Sequence, residues 1–266
     1  MEIPKPNILA PNEYKKKNIK IMTLLVMVSV FVTGAGIFYF STPMASLMEN
    51  TLSTKYVIQN LRGDTVDTWH AWKKADGVPL MIHLMNSEHV TDERKGIIQN
   101  IILSEEKIEI DDSIQRKGPE GTTSDYYVGW MGALNSISTD TRFHIPKNLH
   151  FQIDDDTTGD VMIYLTDTSN PERYSGFTKS VIDDTNHQIL KSEITIYNID
   201  RITSDQLEIL VRHELGHAFG LAHSTDPDDL MAPVITTGYP YISECDVDAI
   251  EFLYDGGESS QVVCEK

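Results

Sequence analysis

The run His213-Glu214-Leu215-Gly216-His217-Ala218-Phe219-Gly220-Leu221-Ala222-His223 constrains this chain more than any other feature. His213 and His217 are four residues apart, so on an α-helix they stand on one face, one turn apart. Both imidazoles then reach one metal ion. Glu214 follows the first of them and projects toward a water on that ion. Gly220 comes three residues after His217, where the helix has to stop sharply. Glycine tolerates the left-handed backbone that such a stop uses. The turned chain brings His223 in as a third ligand from another direction. Three protein ligands leave the fourth tetrahedral position of zinc open for water, the arrangement of a catalytic rather than a structural site.

The residue types then imply a chemistry. Zinc lowers the pKa of a bound water to about 7 and polarises a carbonyl oxygen. Glu214 is placed to take the proton of the attacking water and pass it to a leaving amine. This is amide-bond hydrolysis without a covalent intermediate. The alternative is a non-catalytic zinc-binding ectodomain for adhesion or substrate binding, in which metal binding alone would not need the Glu214 carboxylate.

Downstream comes Asp229-Leu230-Met231-Ala232-Pro233. With it the chain resembles the metzincin peptidases, in which the long zinc motif is followed by a methionine turn. Met231 matches the turn methionine. Within that clan the chain is most similar to the matrixins, the matrix metalloproteinase family. Ser224 directly after His223, and Pro233 two residues after Met231, match the family's pattern. Residues 242–254, closing on Tyr254, resemble the matrixin C-terminal helix.

The resemblance implies an α+β fold, a metzincin-type zincin domain with a twisted mixed β-sheet and three main helices. It implies a zinc metalloendopeptidase with one catalytic Zn2+ and a protein or peptide substrate. Substrate would add as an antiparallel strand along an edge strand at residues 176–182, through main-chain hydrogen bonds. Residues 233–239, with Pro233 and Tyr239 as pocket candidates, would form a wall beside the zinc. Many matrixins also bind a second zinc and calcium. Here His187 is the candidate for an extra zinc ligand, and Asp154, Asp155, Asp156 and Asp160 are candidates for Ca2+, without the spacing of a known calcium loop.

The chain departs from the family in two places. Cys245 stands where an aspartate is usual. Asp246 matches the next aspartate, which in the family holds the amino terminus of the cleaved enzyme. No cysteine precedes residue 245, so latency by a cysteine–zinc contact is not expected; residues 41–77 are the candidate cover for the cleft.

Residues 21–40 are twenty consecutive uncharged, mostly apolar positions, preceded by Lys15, Lys16, Lys17 and Lys20. A helix of about 20 apolar residues spans a bilayer, and the positive-inside rule puts the lysines in the cytoplasm. The expected organisation is a cytoplasmic tail at 1–20, a transmembrane signal anchor at 21–40 and a membrane-proximal segment at 41–77. An extracellular catalytic domain at 78–256 and a C-terminal tail at 257–266 complete it. The alternative is secretion after signal cleavage, although a signal peptide's apolar core is shorter, about 7–15 residues. Residues 1–20 carry five lysines and two glutamates, whereas the whole chain has a formal net charge of −18. So acidic an ectodomain repels nucleic acid, and no nucleic-acid partner is expected. Cys245 and Cys264 either pair on the oxidising side of the membrane or stand as two free thiols.

Local patterns place strands at residues 78–85, 142–153, 160–166, 176–182 and 189–199. A helix capped by Thr91 runs to about Ser104, with Ile97, Ile98, Ile101 and Ile102 on one face. Thr203 or Ser204 caps the zinc helix, whose buried face is Leu207, Leu210, Val211, Leu215 and Ala218. Trp69 and Trp72 would share a helical face directed at the core. Trp130 falls in an ambiguous stretch.

Overall fold

The sheet begins where the sequence shows least pattern. In the computed structural model, which describes residues 51–113, 118–235 and 240–264, Leu52–Asn60 (β1) is the first strand. Its inward positions are Leu52, Thr54, Tyr56, Ile58 and Asn60, a mixture of apolar and polar side chains. The strand signal of alternating hydrophobicity is therefore broken. Two short strands follow, Thr65–Val66 (β2) and Ala71–Trp72 (β3). Trp72 lies on β3 and is buried, its Nε1 donating to Ala218 O at 2.8 Å. Trp69 stacks on the His187 ring instead of sharing a helical face with Trp72.

Leu80–Met85 (β4) leads to a helix at Asp92–Leu103 (α1). The Thr91 side chain accepts a hydrogen bond from Arg94 N at 3.2 Å, as an N-cap should. Isoleucine costs up to about 0.7 kcal/mol in helix propensity. Burying one contributes about 1.5–3 kcal/mol, and Ile98, Ile101 and Ile102 are all fully buried. Packing therefore decides that this segment is helical. Lys107–Asp111 (β5) and Thr123–Tyr127 (β6) form an antiparallel pair. The ambiguous stretch around Trp130 is a short helix, Trp130–Ser136 (α2).

Leu149–Asp154 (β7), Val161–Leu165 (β8), Gly176–Asp183 (β9) and Gln188–Ile196 (β10) complete the central strands. Residues 142–148, expected as strand, are not strand; Pro146 lies among them and cannot donate to a ladder. After a 3-10 turn at Ile199–Arg201 comes the long helix Ser204–Ala218 (α3). Thr203 is its N-cap, in a capping box with Gln206. Val234–Ile235 (β11), Ile242–Ser243 (β12) and Glu244–Tyr254 (α4) end the order of elements.

The main sheet runs β11-β1-β9-β10-β8-β4-β7, with β2 on β1 and β3 on β10. Strands β10, β8, β4 and β7 are mutually parallel, β9 is antiparallel to β10, and β1 is parallel to β9. The fold is thus α+β, with a mixed sheet and helices packed on it. Helix α3 packs against α1, β9 and β10, and all five side chains expected on its buried face are buried. Strand β9 is not the edge that its sequence suggests. Thr54 to Asn60 pair with Gly176 to Ile182 along its free side. One compact unit comprises Leu52–Lys266, so the sheet starts well before residue 78. Among the described residues no helix is long and apolar enough to cross a membrane; residues 21–40 and Tyr239 lie outside them.

Candidate metal centre

Helix α3 carries His213, Glu214 and His217 in its last two turns and stops at Phe219. The stop is a Schellman motif: Gly220 N donates to His217 O and Leu221 N to Gly216 O, both at 3.0 Å. Gly220 takes φ +106°, and a side chain there would run into the His70 carbonyl. Glycine is therefore required twice, by its backbone angle and by close approach. The reversal returns His223 to the helix end. The ring nitrogens of His213, His217 and His223 come together so that one ligand atom from each lies within 4.8 Å of the others.

The hydrogen bonds fix which nitrogen faces the centre. His213 Nδ1 donates to Leu230 O at 2.7 Å, and His217 Nδ1 donates to Leu221 O at 2.8 Å. Their Nε2 lone pairs are left pointing inward. His217 Nε2 is fully buried with no hydrogen-bond partner, a costly arrangement unless something accepts the lone pair. Burial holds His213 down to about 3, and His217 well below its ordinary 6.5. Both rings are therefore neutral at pH 7, the form that binds a metal. The donor set and the orphaned nitrogen both fit zinc.

Glu214 is buried beside them. Its Oε2 accepts from Thr178 Oγ1 on β9 at 2.5 Å, while Oε1 has no hydrogen-bond partner. Burial pushes this carboxyl up to about 8, against the pull of the Thr178 hydrogen bond. A divalent cation nearby acts in the opposite sense and favours the carboxylate.

Beneath the centre, Met231 is fully buried with its sulfur against Gly216 of α3. A side chain at 216 would overlap that sulfur. The turn is held by Ser224 N donating to Met231 O at 2.8 Å and Met231 N to Asp229 Oδ1 at 2.8 Å. Asp229 Oδ2 accepts from Ser243 Oγ at 3.0 Å, and Ser243 caps α4 through Asp246. Cys245 and Cys264 form a disulfide. It fixes the tail, whose Ser260 O accepts from Ala222 N at 2.7 Å, next to His223.

Other sequence candidates fall elsewhere. Asp160 pairs with Lys74 at 2.7 Å and accepts from Met81 N; Asp154 and Asp156 accept from backbone N–H groups of their own turn. His187 sits in the β9–β10 turn with φ +49° and stacks on Trp69. Pro233 is exposed, and its carbonyl lies 3.4 Å from Thr54 Oγ1.

The sequence does not single out Thr54, Tyr56, Gly176 or Thr178. Thr54 Oγ1 stands 3.0 Å from His213 Nε2 and 3.4 Å from His223 Nε2. The Tyr56 ring stacks on His217 at 4.6 Å and 13°. Only the inward alternation of β1 and β9 could have pointed to these residues, and that requires knowing that the two strands pair.

Imidazoles on a helix and across its glycine stop, with a methionine turn below, make this a metzincin-type metal centre. Comparison with known proteins narrows the class. The Matrixin family model matches residues 70–255, and the chain belongs to that family. Interstitial collagenase of Sus scrofa is 41% identical over 64 residues, which are 24% of this chain and 12% of the relative. The probable matrix metalloproteinase 095L of Invertebrate iridescent virus 3 is 38% identical over 68 residues, 26% of this chain and 19% of the relative. Human matrix metalloproteinase-20 is 51% identical over 45 residues, 16% of this chain and 9% of the relative. The chain thus spans less than a fifth of the length of these curated relatives.

Proposed function

We propose that this chain is a membrane-anchored, zinc-dependent endopeptidase that hydrolyses peptide bonds of proteins or peptides outside the cell. The observation that carries the reading is the convergence of His213, His217 and His223 within 4.8 Å beside the buried carboxylate of Glu214. The three histidines would hold zinc through Nε2, with Nδ1 anchored to carbonyls in His213 and His217. Zinc there would supply Lewis acidity and a water acidic enough to lose its proton near neutral pH. Glu214 accepts that proton and returns it to the leaving amine. Thr178 orients the carboxylate through Oε2, and Met231 supports the floor of the centre. Residues 233–239, with Pro233 and Tyr239, would border the specificity pocket.

The anchor is residues 21–40, with the lysine cluster on the cytoplasmic side and the folded unit outside. The disulfide Cys245–Cys264 suits an oxidising compartment.

Glu214→Gln tests the chemistry. The variant is expected to keep its zinc and to lose about 10²–10⁴-fold in cleavage of a peptide library. Equal turnover by the variant would defeat the mechanism. Alkaline extraction of membranes tests the anchor: release of the intact chain into the soluble fraction would refute it.

A further inference from the structure

We propose that the two cysteines belong to a second metal site, gated by their redox state. Once the Cys245–Cys264 disulfide is reduced, both thiolates and the Asp229 carboxylate bind one zinc ion. The site is separate from the three histidines, and it stands whether or not the chain is a peptidase.

The donor set is already assembled. One ligand atom from each of Asp229, Cys245 and Cys264 lies within 4.8 Å of the others. Cys264 Sγ is 3.5 Å from Asp229 Oδ2. Zinc takes sulfur at about 2.3 Å and carboxylate oxygen at about 2.0–2.2 Å, so a tetrahedral pair of such ligands is about 3.5–3.7 Å apart. Cys264 and Asp229 already have that separation. Two thiolates on one zinc stand about 3.8 Å apart, so the sulfurs need part by less than about 2 Å once their bond is gone.

The backbone holds both cysteines in place without the disulfide. Cys245 lies in the first turn of α4, behind the Ser243 cap. Cys264 follows Val262, which is fully buried and pairs with Ser224. Val262 O also accepts from Thr225 N at 3.2 Å, and Ser260 O from Ala222 N at 2.7 Å. The Cα atoms of the two cysteines are 5.4 Å apart. Reduced thiols therefore stay beside Asp229 instead of leaving with a loose tail.

The charges around them call for a cation. Asp246 shares the Ser243 hydroxyl with Asp229, each carboxylate accepting at 3.0 Å. The Asp246 side chain is fully buried, and its Oδ1 has no hydrogen-bond partner among the described residues. It is the candidate fourth donor. Two thiolates beside two carboxylates repel one another, whereas a divalent ion draws them together. A helix N-terminus favours the thiolate of Cys245, and sulfur selects zinc over calcium or magnesium. Asp229 Oδ1 remains on Met231 N at 2.8 Å, so binding through Oδ2 leaves the methionine turn in place.

A dithiol is the reductant. It gives two electrons and two protons to the disulfide, breaking the S–S bond and becoming a disulfide itself. Zinc then displaces both thiol protons to solvent as two Zn–S bonds form. The tail is thus tied to α4 by the disulfide in the oxidised chain and by the metal in the reduced one.

The test uses the full chain in detergent micelles with His213 and His217 both replaced by alanine, so that only the second site remains. Neither outcome then depends on peptidase activity. Zinc is added before and after anaerobic reduction with a water-soluble phosphine. The oxidised protein is expected to hold almost no zinc and the reduced protein one zinc per chain. X-ray absorption of that zinc should show two sulfur neighbours at about 2.3 Å and oxygen at about 2.0–2.2 Å. Asp229→Asn should weaken uptake at least tenfold, and Cys264→Ser at least a hundredfold. If the histidine variant does not fold, cobalt added to the parent chain reads the same site. Reduction should then bring up thiolate-to-cobalt charge-transfer bands, which histidine ligands do not give. No uptake on reduction, zinc without sulfur neighbours, undiminished affinity in Asp229→Asn, or cobalt without the bands would each overturn the proposal.

Discussion

Gly176 lies directly against the carboxylate of Glu214: a methyl group at position 176 would overlap Glu214 Oε1. From the same strand Thr178 donates to the other oxygen at 2.5 Å. Strand β9 therefore both makes room for the proposed base and aims it. Gly176→Ala should displace the carboxylate by a fraction of an ångström to an ångström, a misplacement that costs about 10²-fold in rate. Turnover and zinc content measured together check this. Full turnover in the variant would show that Glu214 has slack the structure does not reveal.

The disulfide is predicted to stabilise the third histidine's loop as well as the fold. Cys245 and Cys264 are 19 residues apart in sequence. Closing a loop of this size is worth about 3 kcal/mol. The tail it pins bonds Ala222 through Ser260 O, and Val262 pairs with Ser224 beside His223. Cys264→Ser should lower Tm by about 2–4 °C for each kcal/mol lost and weaken zinc binding in a chelator competition. Unchanged zinc affinity would confine the disulfide to a global role.

Asp246 gives a pH dependence whose sign follows from its burial. Burial, and after it the neighbouring Asp229, raise its carboxyl well above the ordinary 3.8. The folded chain thus holds a proton that the unfolded chain has released. This contribution to stability is full below about pH 4 and declines as pH rises through the folded pKa. Asp246→Asn should remove the decline, so its urea midpoint gains on the parent's as pH rises from about 4 to 8. Parallel profiles for the two proteins would contradict the assignment.

The metal centre was legible in the sequence because its ligands fall within one helix and its stop. Spacing on a 3.6-residue helix and a single glycine fix their geometry without reference to distant chain. Thr91 and Thr203 announced their helices for the same local reason. Strand β1 was not legible because it faces a polar centre: Thr54 and Asn60 stand where a core strand would carry apolar residues. Reading β9 as the edge followed from missing β1, since an edge is a property of the neighbouring strand. Helix α2 has seven residues, too few to show a period.

The central claim is that His213, His217 and His223 jointly hold one zinc ion. Metal analysis of the full chain after equilibration with zinc and gel filtration tests it most directly. The account predicts one zinc per chain, falling to near zero in His213→Ala and His217→Ala variants that still show the parent's far-UV circular dichroism. A folded parent chain without stoichiometric zinc, or histidine variants that keep it, would contradict the claim.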